Sequence, residues 1–330
     1  MIICEKCGKE FPLQENYDTH HKRPCRKIFK LIKSYNKPFL KWVGGKTQII
    51  KDIIDRIPAN MNNYHELFLG GGSVLLAVLD LKRKNKITID GDIYAYDINK
   101  ILINTYKHIQ NNKNILYEYI LFYKKEYDDI EGEEINRNPS TLEEAKTSKE
   151  SYYYWIRKKF NVIDKDIVEA AALFMFLNKT CFRGIYREGP NGFNVPYGHY
   201  KTSPNIITKL DLDTISYLIR DVKFICQDFR DSIKEINTGD YVYLDPPYAP
   251  INEKSFVGYT KDGFSFKMHK KLFDEIINLD KKEIKFTLSN AKVPMVIESF
   301  KDYYCEDIIA RRAINSKNPD SKAMEVIIHN

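Results

Sequence analysis

The sequence has no apolar run approaching the length of a membrane span. The longest, Ala170-Ala171-Ala172-Leu173-Phe174-Met175-Phe176-Leu177, has the length of a core helix segment. Charges and two cysteines within the first seven residues exclude a secretory leader. Cysteine is scarce, six in 330 residues, and Cys181, Cys226 and Cys305 stand singly. That scatter argues against a disulfide framework and suits reduced thiols in an intracellular, cytoplasmic setting. No G-x-G-x-x-G occurs, which weighs against a nicotinamide enzyme.

Positive charge and apolar mass are present instead. Lys and Arg number 52 against 45 acidic residues, a net charge of +7 that is compatible with a polyanionic partner without proving one. With 43% apolar residues, the chain can build one large domain and a smaller one.

Residues 1–26 read as a separate unit. Cys4, Cys7, His20 and Cys25, with Phe11 and Tyr17 between them, follow C-x2-C-x3-F-x5-Y-x2-H-x4-C. Two thiolates on a hairpin and two ligands one helical turn apart can close a tetrahedral zinc site of C2HC type. A unit this small cannot fold on apolar burial alone, so zinc would supply its folding energy. Residues 27–37 read as a basic linker.

From Lys37 the pattern alternates as in an α/β fold. Tyr64 to Phe68 reads as a strand, Gly70-Gly71-Gly72 as a tight turn and Ser73 to Leu81 as a helix. Glycines there let a backbone approach a ligand at the carboxyl end of a strand. The next strand, Ile93 to Tyr96, ends in Asp97, which is either an acid for ribose hydroxyls or the N-cap of a following helix. Tyr106 to Tyr127 reads as helical, Asp128 to Glu150 as an exposed loop rather than a partner-binding tail, and Ser151 to Phe160 and Lys165 to Asn178 as two further helices. Asn178 to Glu188 interleaves basic and aromatic residues in what reads as a hairpin.

The most informative stretch is Tyr241-Val242-Tyr243-Leu244 followed by Asp245-Pro246-Pro247-Tyr248. A β-prone run halted by two prolines is a buried strand with a stiff end. Its carbonyls are kept out of any helix ladder, beside one carboxylate and one flat ring. Such a mouth suits a planar substrate with an exocyclic amine.

Asp-Pro-Pro-Tyr is also the signature of amino-methyltransferases. Phe39-Leu40-Lys41-Trp42-Val43-Gly44-Gly45-Lys46, Glu66-Leu67-Phe68-Leu69-Gly70-Gly71-Gly72-Ser73-Val74 and Phe193-Asn194-Val195-Pro196-Tyr197-Gly198 resemble three further blocks of one subgroup. That subgroup is the Dam-like (D12 class) DNA adenine-N6 methyltransferases, which include DpnII-type modification enzymes. The resemblance runs from about Lys37 to the end of the sequence, with the blocks in the family's order.

The resemblance implies a doubly wound, Rossmann-like, S-adenosylmethionine-dependent core over residues 38–100 and 226–330. It also implies a mainly helical target-recognition insertion over 101–225, with a DNA-reading hairpin near 179–200. Trp42, Lys46, Phe68, Gly70, Gly72, Asp97 and Asp245 would meet the cofactor. Asp245 and the Pro246 carbonyl would hold the amino protons, Pro247 would stiffen the turn, and Tyr248 would stack on the extruded base. Arg187 and Lys41 match residues that read guanines in GATC-specific members, and Phe182 and Ile185 match residues at the opened duplex. Arg183 departs from the asparagine often found at its position, which puts the edge contacts in doubt. Arg311 and Arg312 resemble a phosphate-binding arm, and Phe256 to Thr260 a substrate-side loop. The implied partner is double-stranded DNA; a cognate restriction endonuclease stays open. Competing readings are an N4-cytosine methyltransferase, a decayed zinc-finger DNA-binding protein, and an RNA or protein methyltransferase.

Overall fold

The computed structural model describes residues 2–3, 10–11, 37–250, 264–311 and 322–330, and of residues 2, 3, 10, 11, 310, 311, 322 and 323 the backbone alone. Two units separate, residues 1–36 and 37–330. In the first, β1 (Ile2–Ile3) pairs antiparallel with β2 (Glu10–Phe11), Ile2 opposite Phe11. Cys4, Cys7, His20 and Cys25 lie outside the described residues, as does the basic linker up to residue 36.

The second unit is mixed α/β around a mostly parallel sheet. A short side pair, β3 (Asn60–Met61) and β5 (Thr88–Ile89), flanks it. The main sheet contains β4 (Tyr64–Glu66), β6 (Ile93–Asp97), β9 (Val222–Cys226), β10 (Tyr241–Leu244), β11 (Lys285–Ala291), β12 (Tyr304–Arg311) and β13 (Lys322–His329). The remaining pair, β7 (Glu188–Gly189) with β8 (Gly192–Phe193), stands apart. The order across the sheet is β12-β13-β11-β10-β4-β6-β9. From β9 to β11 every neighbour is parallel, and β13 and β12 add an antiparallel edge. After β4 the chain builds outward through β6 to β9, then returns to lay β10 on the other side of β4. Order therefore reverses between β4 and β10, and a crevice opens beyond the carboxyl ends of strands at such a point.

The first helices are α1 (Ile50–Ile54) and α2 (Ser73–Arg83), the latter buried from Ser73 to Asp80. Between β6 and β9 the chain is largely helical: α3 (Lys100–Asn111), α4 (Lys113–Asp128), α5 (Leu142–Ala145), α6 (Lys149–Val162), α7 (Val168–Thr180) and α8 (Lys209–Leu218). The stretch expected to be helical over 106–127 belongs to two helices divided at Asn112, whose φ of −131° leaves the helical region. Asparagine, present at 111, 112 and 114, is a residue type whose side chain competes with a helix ladder for backbone groups. The stretch expected as exposed loop is partly structured as well. The Thr141 side chain accepts from Glu144 N to cap α5, and buried Glu150 receives the Arg137 guanidinium at 2.7 Å. Helix α7 is buried from Ala170 to Asn178 and packs against α3, α4 and α6, so its all-round apolarity belongs to a core hub. Beyond β9 come α9 (Phe229–Ser232), α10 (Phe266–Lys281) and α11 (Pro294–Ser299). α10 buries Leu272, Phe273 and Ile276 in one core with Val242, Leu244, Phe286 and Leu288.

Candidate active site

Strand β10 is buried at all four positions, and the chain leaves it as Asp245-Pro246-Pro247-Tyr248. This turn is braced from three elements. Asn290 Oδ1 on β11 accepts from Ala249 N at 2.9 Å, and His269 Nε2 on α10 lies 2.9 Å from the Pro247 carbonyl. The other ring nitrogen of His269, Nδ1, lies 3.0 Å from the Ser265 carbonyl, so the imidazole sits between two acceptors. On β13, Glu325 Oε2 accepts from the Tyr248 hydroxyl at 2.7 Å.

Asp245 pairs with a lysine from the first block: Lys46 Nζ lies 2.6 Å from Asp245 Oδ2, and the lysine is only 4% exposed. The same ammonium donates to Gly44 O at 2.6 Å and sits 4.9 Å from the Tyr248 ring centroid. The Lys46 backbone N–H donates to Ser73 Oγ at the start of α2. Burial pushes the Asp245 carboxyl up to about 6, while the ammonium pulls the other way. Lys46, expected from the resemblance to meet the cofactor, is thus held on the carboxylate of the Asp-Pro-Pro-Tyr turn.

On the adjacent strand, β4 ends in the glycine turn. Gly70 and Gly72 have φ of +49° and +68°, values that favour glycine. A Cβ at Gly70 would come within 2.9 Å of the Trp42 ring, so the indole lies flush on the turn. Gly72 sits against the Tyr106 hydroxyl and does not face the cavity described below. Asp97 Oδ2 accepts from Gly70 N at 3.0 Å, and its Oδ1 from Asn99 N at 2.9 Å. The N-cap of α3 is Asn99, whose Oδ1 accepts from Leu102 N. Asp97 therefore braces the glycine turn. Glu66, in β4, accepts from the Tyr64 hydroxyl at 2.7 Å, and burial pushes its carboxyl up to about 8.

The two turns share a cavity of about 1270 Å³. Lys41, Trp42, Lys46, Phe68, Gly70, Asp97, Arg183, Ile185, Asp245, Pro246, Pro247 and Tyr248 all face it. An ordinary small-molecule cleft spans roughly 300–1,000 Å³, so this one has room for more than one planar group.

Past α7 the expected hairpin is tighter than its sequence suggests. A single turn over Phe182–Gly184 precedes two-residue strands, β7 and β8. Arg183 adopts φ of +57° and lays its guanidinium 5.1 Å from the Phe182 ring, which is 44% exposed. Arg187 is exposed and donates from Nε to Asn194 Oδ1 at 2.7 Å. Tyr186 stacks on Trp42, centroids 5.8 Å apart and planes inclined by 21°, which joins the turn beside the cavity to the glycine turn. Lys41 is fixed to the same segment. Its N–H donates to Asn178 Oδ1 at 2.8 Å, its carbonyl accepts from Asn178 Nδ2 at 2.7 Å, and its ammonium donates to the Tyr200 hydroxyl at 2.9 Å. Arg311 closes β12, whereas Arg312 and Phe256 to Thr260 lie outside the described residues.

Sequence reasoning did not find Glu325, His269 and Asn290. Met324-Glu325-Val326 reads only as an alternating strand, His269 as one position of an amphipathic helix, and Asn290 as a polar residue in β11. No local signal ties any of them to the Asp-Pro-Pro-Tyr turn.

Comparison with known proteins gives a consistent picture. The family described as D12 class N6 adenine-specific DNA methyltransferase matches residues 42–315. The type II methyltransferase M.MjaIII of Methanocaldococcus jannaschii is 36% identical over 87% of this chain and 95% of its own. M1.LlaDCHI, a type II methyltransferase of Lactococcus lactis subsp. cremoris, is 34% identical over 89% of this chain and 95% of its own. A DNA adenine methylase of Haemophilus influenzae is 28% identical over 91% and 94%.

Proposed function

Because the chain belongs to the D12 class N6 adenine-specific DNA methyltransferases, we propose that it methylates N6 of an adenine extruded from duplex DNA within GATC or a related short palindrome. The observation that carries this reading is the single cavity joining the glycine turn, Asp97 and the Asp-Pro-Pro-Tyr turn at the ends of adjacent strands.

The residues present suit S-adenosylmethionine. Gly70 and Gly71 leave the floor of the cavity without side chains under the Trp42 ring, Asp97 offers a carboxylate for ribose hydroxyls, and Trp42 and Phe68 offer apolar faces. Aromatic faces also attract a sulfonium cation. When bound, S-adenosylmethionine supplies an electrophilic methyl carbon.

The remaining chemistry belongs to the chain. Adenine N6 is a weak nucleophile because its lone pair is delocalised into the ring. With Asp245 and the Pro246 carbonyl each accepting a hydrogen bond from the N6 amino group, the nitrogen turns towards sp3 and its lone pair is freed. The one proton that the methylated nitrogen sheds passes to Asp245 and on to water. The buried carboxylate also stabilises positive charge developing on that nitrogen. Tyr248 offers a fixed plane for the extruded base, which offsets part of the few kcal/mol that unstacking costs. Most of the rate gain comes from alignment on a turn that two prolines and three hydrogen bonds hold rigid.

Target reading is assigned to Lys41 and Arg187 at base edges and to Phe182 and Ile185 at the opened duplex, with Arg183, Arg311 and Arg312 as further DNA contacts. Arg187 is exposed, and Lys41 is tied through Asn178 to the segment that carries Arg187. The target-recognition region is residues 101–225, and the core is 38–100 with 226–330. The N-terminal unit is read as a structural zinc site of Cys4, Cys7, His20 and Cys25. The antiparallel β1–β2 pairing supports this, because Cys4 and Cys7 lie between its two strands in the sequence. A cognate restriction endonuclease is the natural partner if the chain serves in restriction–modification.

The deciding experiment incubates the protein with labelled S-adenosylmethionine and duplex oligonucleotides with or without GATC, then digests the DNA and identifies the modified base. N6-methyladenine in the GATC duplex supports the reading, and N4-methylcytosine refutes it. Asp245→Ala should retain cofactor and DNA binding while losing transfer; near-normal turnover would sink the mechanism.

A further inference from the structure

Tyr248 is anchored at both ends. Its backbone is pinned by the Asn290 and His269 contacts on either side, Ala249 N to Asn290 Oδ1 at 2.9 Å and the Pro247 carbonyl to His269 Nε2 at 2.9 Å. Its hydroxyl is pinned by Glu325 Oε2 at 2.7 Å. Glu325 comes from β13, where it pairs with Ala291 of β11, so it stands on the sheet and not on a loop. Its carboxylate faces the same cavity as Asp245 and Lys46. Burial and the nearby carboxylates of Asp245 and Glu325 push the Tyr248 phenol far above its ordinary value, so it remains a neutral donor.

A tyrosine ring fixed only at its backbone can still swing about its side-chain torsions, whereas one held at its hydroxyl by a sheet residue is a fixed plane. The Lys46 ammonium at 4.9 Å from the ring depends on that plane as well. We propose that Glu325 is a positioning residue for methyl transfer: it locks the Tyr248 ring in the orientation that stacks on the extruded base. The proposal rests on the reading of Tyr248 as the stacking surface. Hydrogen bonds with one charged partner are roughly twice as strong as neutral ones, so the carboxylate suits this task. Glutamine keeps an acceptor of the same reach.

The test is a double-mutant cycle on Glu325→Ala, Tyr248→Phe and their combination, with Glu325→Gln as the conservative variant. Each single change should lower kcat about tenfold and leave the KM for S-adenosylmethionine unchanged. The double variant should be no slower than either single one, because both changes remove the same bond. Glu325→Gln should stay within about threefold of the unsubstituted enzyme.

A second arm uses 2-aminopurine at the target position, whose fluorescence is quenched by stacking. Its emission in the complex should rise equally in Glu325→Ala and Tyr248→Phe. Losses that multiply in the double variant, or emission that does not change, would overturn the proposal. The cycle is read on total methyl transferred to DNA, with the modified base identified separately. N4-methylcytosine as product would therefore refute the adenine reading and leave the coupling result standing.

Discussion

Replacing Lys46 with methionine keeps a long apolar stem in the buried slot and removes the ammonium 2.6 Å from Asp245. Burial raises the titration of that carboxylate, Lys46 lowers it and the Glu325 charge raises it further, to a balance at about 6. An opposite charge within about 4–6 Å is worth roughly 1–3 pKa units, so without it Asp245 should titrate at about 7–9. The ionised form is the acceptor that the amino proton needs. Activity should therefore rise with pH through about 6 in the unsubstituted enzyme and through a higher midpoint in Lys46→Met. With a midpoint near 8, about nine-tenths of the variant would be protonated at pH 7, a loss of roughly tenfold recovered near pH 9–10. Single-turnover transfer from labelled donor, with saturating duplex, across pH 5.5 to 9.5 reads this directly. An unmoved acidic limb, or one moved to lower pH, would refute the reasoning. A loss independent of pH would assign Lys46 to cofactor binding alone.

Glu66→Gln tests a second buried carboxyl. Its folded-state pKa is raised by burial from 4.5 to about 8, so its contribution to stability is complete below about 4.5 and is lost progressively as pH rises to about 8. The glutamine variant should unfold at higher urea than the unsubstituted protein at pH 9, by about 3–5 kcal/mol, and the gap should narrow steadily to little at about pH 4.5. Arg187→Ala should cost about 1–3 kcal/mol of discrimination at one base pair, measured on duplexes with single-pair changes. An equal loss on every sequence would move Arg187 to the phosphates. Metal analysis of the full chain should return about one zinc per molecule and none in Cys25→Ser.

Sequence pattern carried much of the fold because its strongest signals are local. Tyr241 to Leu244 is β-prone on every residue and is stopped by two prolines, and the strand occupies those four residues. The glycine turn and the strand ending at Asp97 were legible for the same reason. Strand order was not, since nothing within β10 states that its neighbours are β4 and β11. The role of Asp97 was open between a ribose acid and a helix cap. Only the folded chain brings Gly70 N to its carboxylate and gives the cap to Asn99. The Lys46–Asp245 pair and the Glu325 contact join the ends of the domain through sheet topology, and no periodicity encodes either. The missed helix α5 shows the converse: Thr141-Leu142-Glu143-Glu144 carries a usable cap, but the polar residues around it read as loop.

The Asn178 amide does for Lys41 what a partner strand would do, donating and accepting on either side of one residue, and it reaches Gly184 O at 3.3 Å as well. One side chain thereby fuses the segment carrying Lys41 to the segment that leads to Arg187. If both cations read bases, their separation is set by protein and cannot stretch to suit the DNA. Such a pair works as callipers. A duplex with the right bases at the wrong spacing would be refused, even though each contact, taken alone, could still be made.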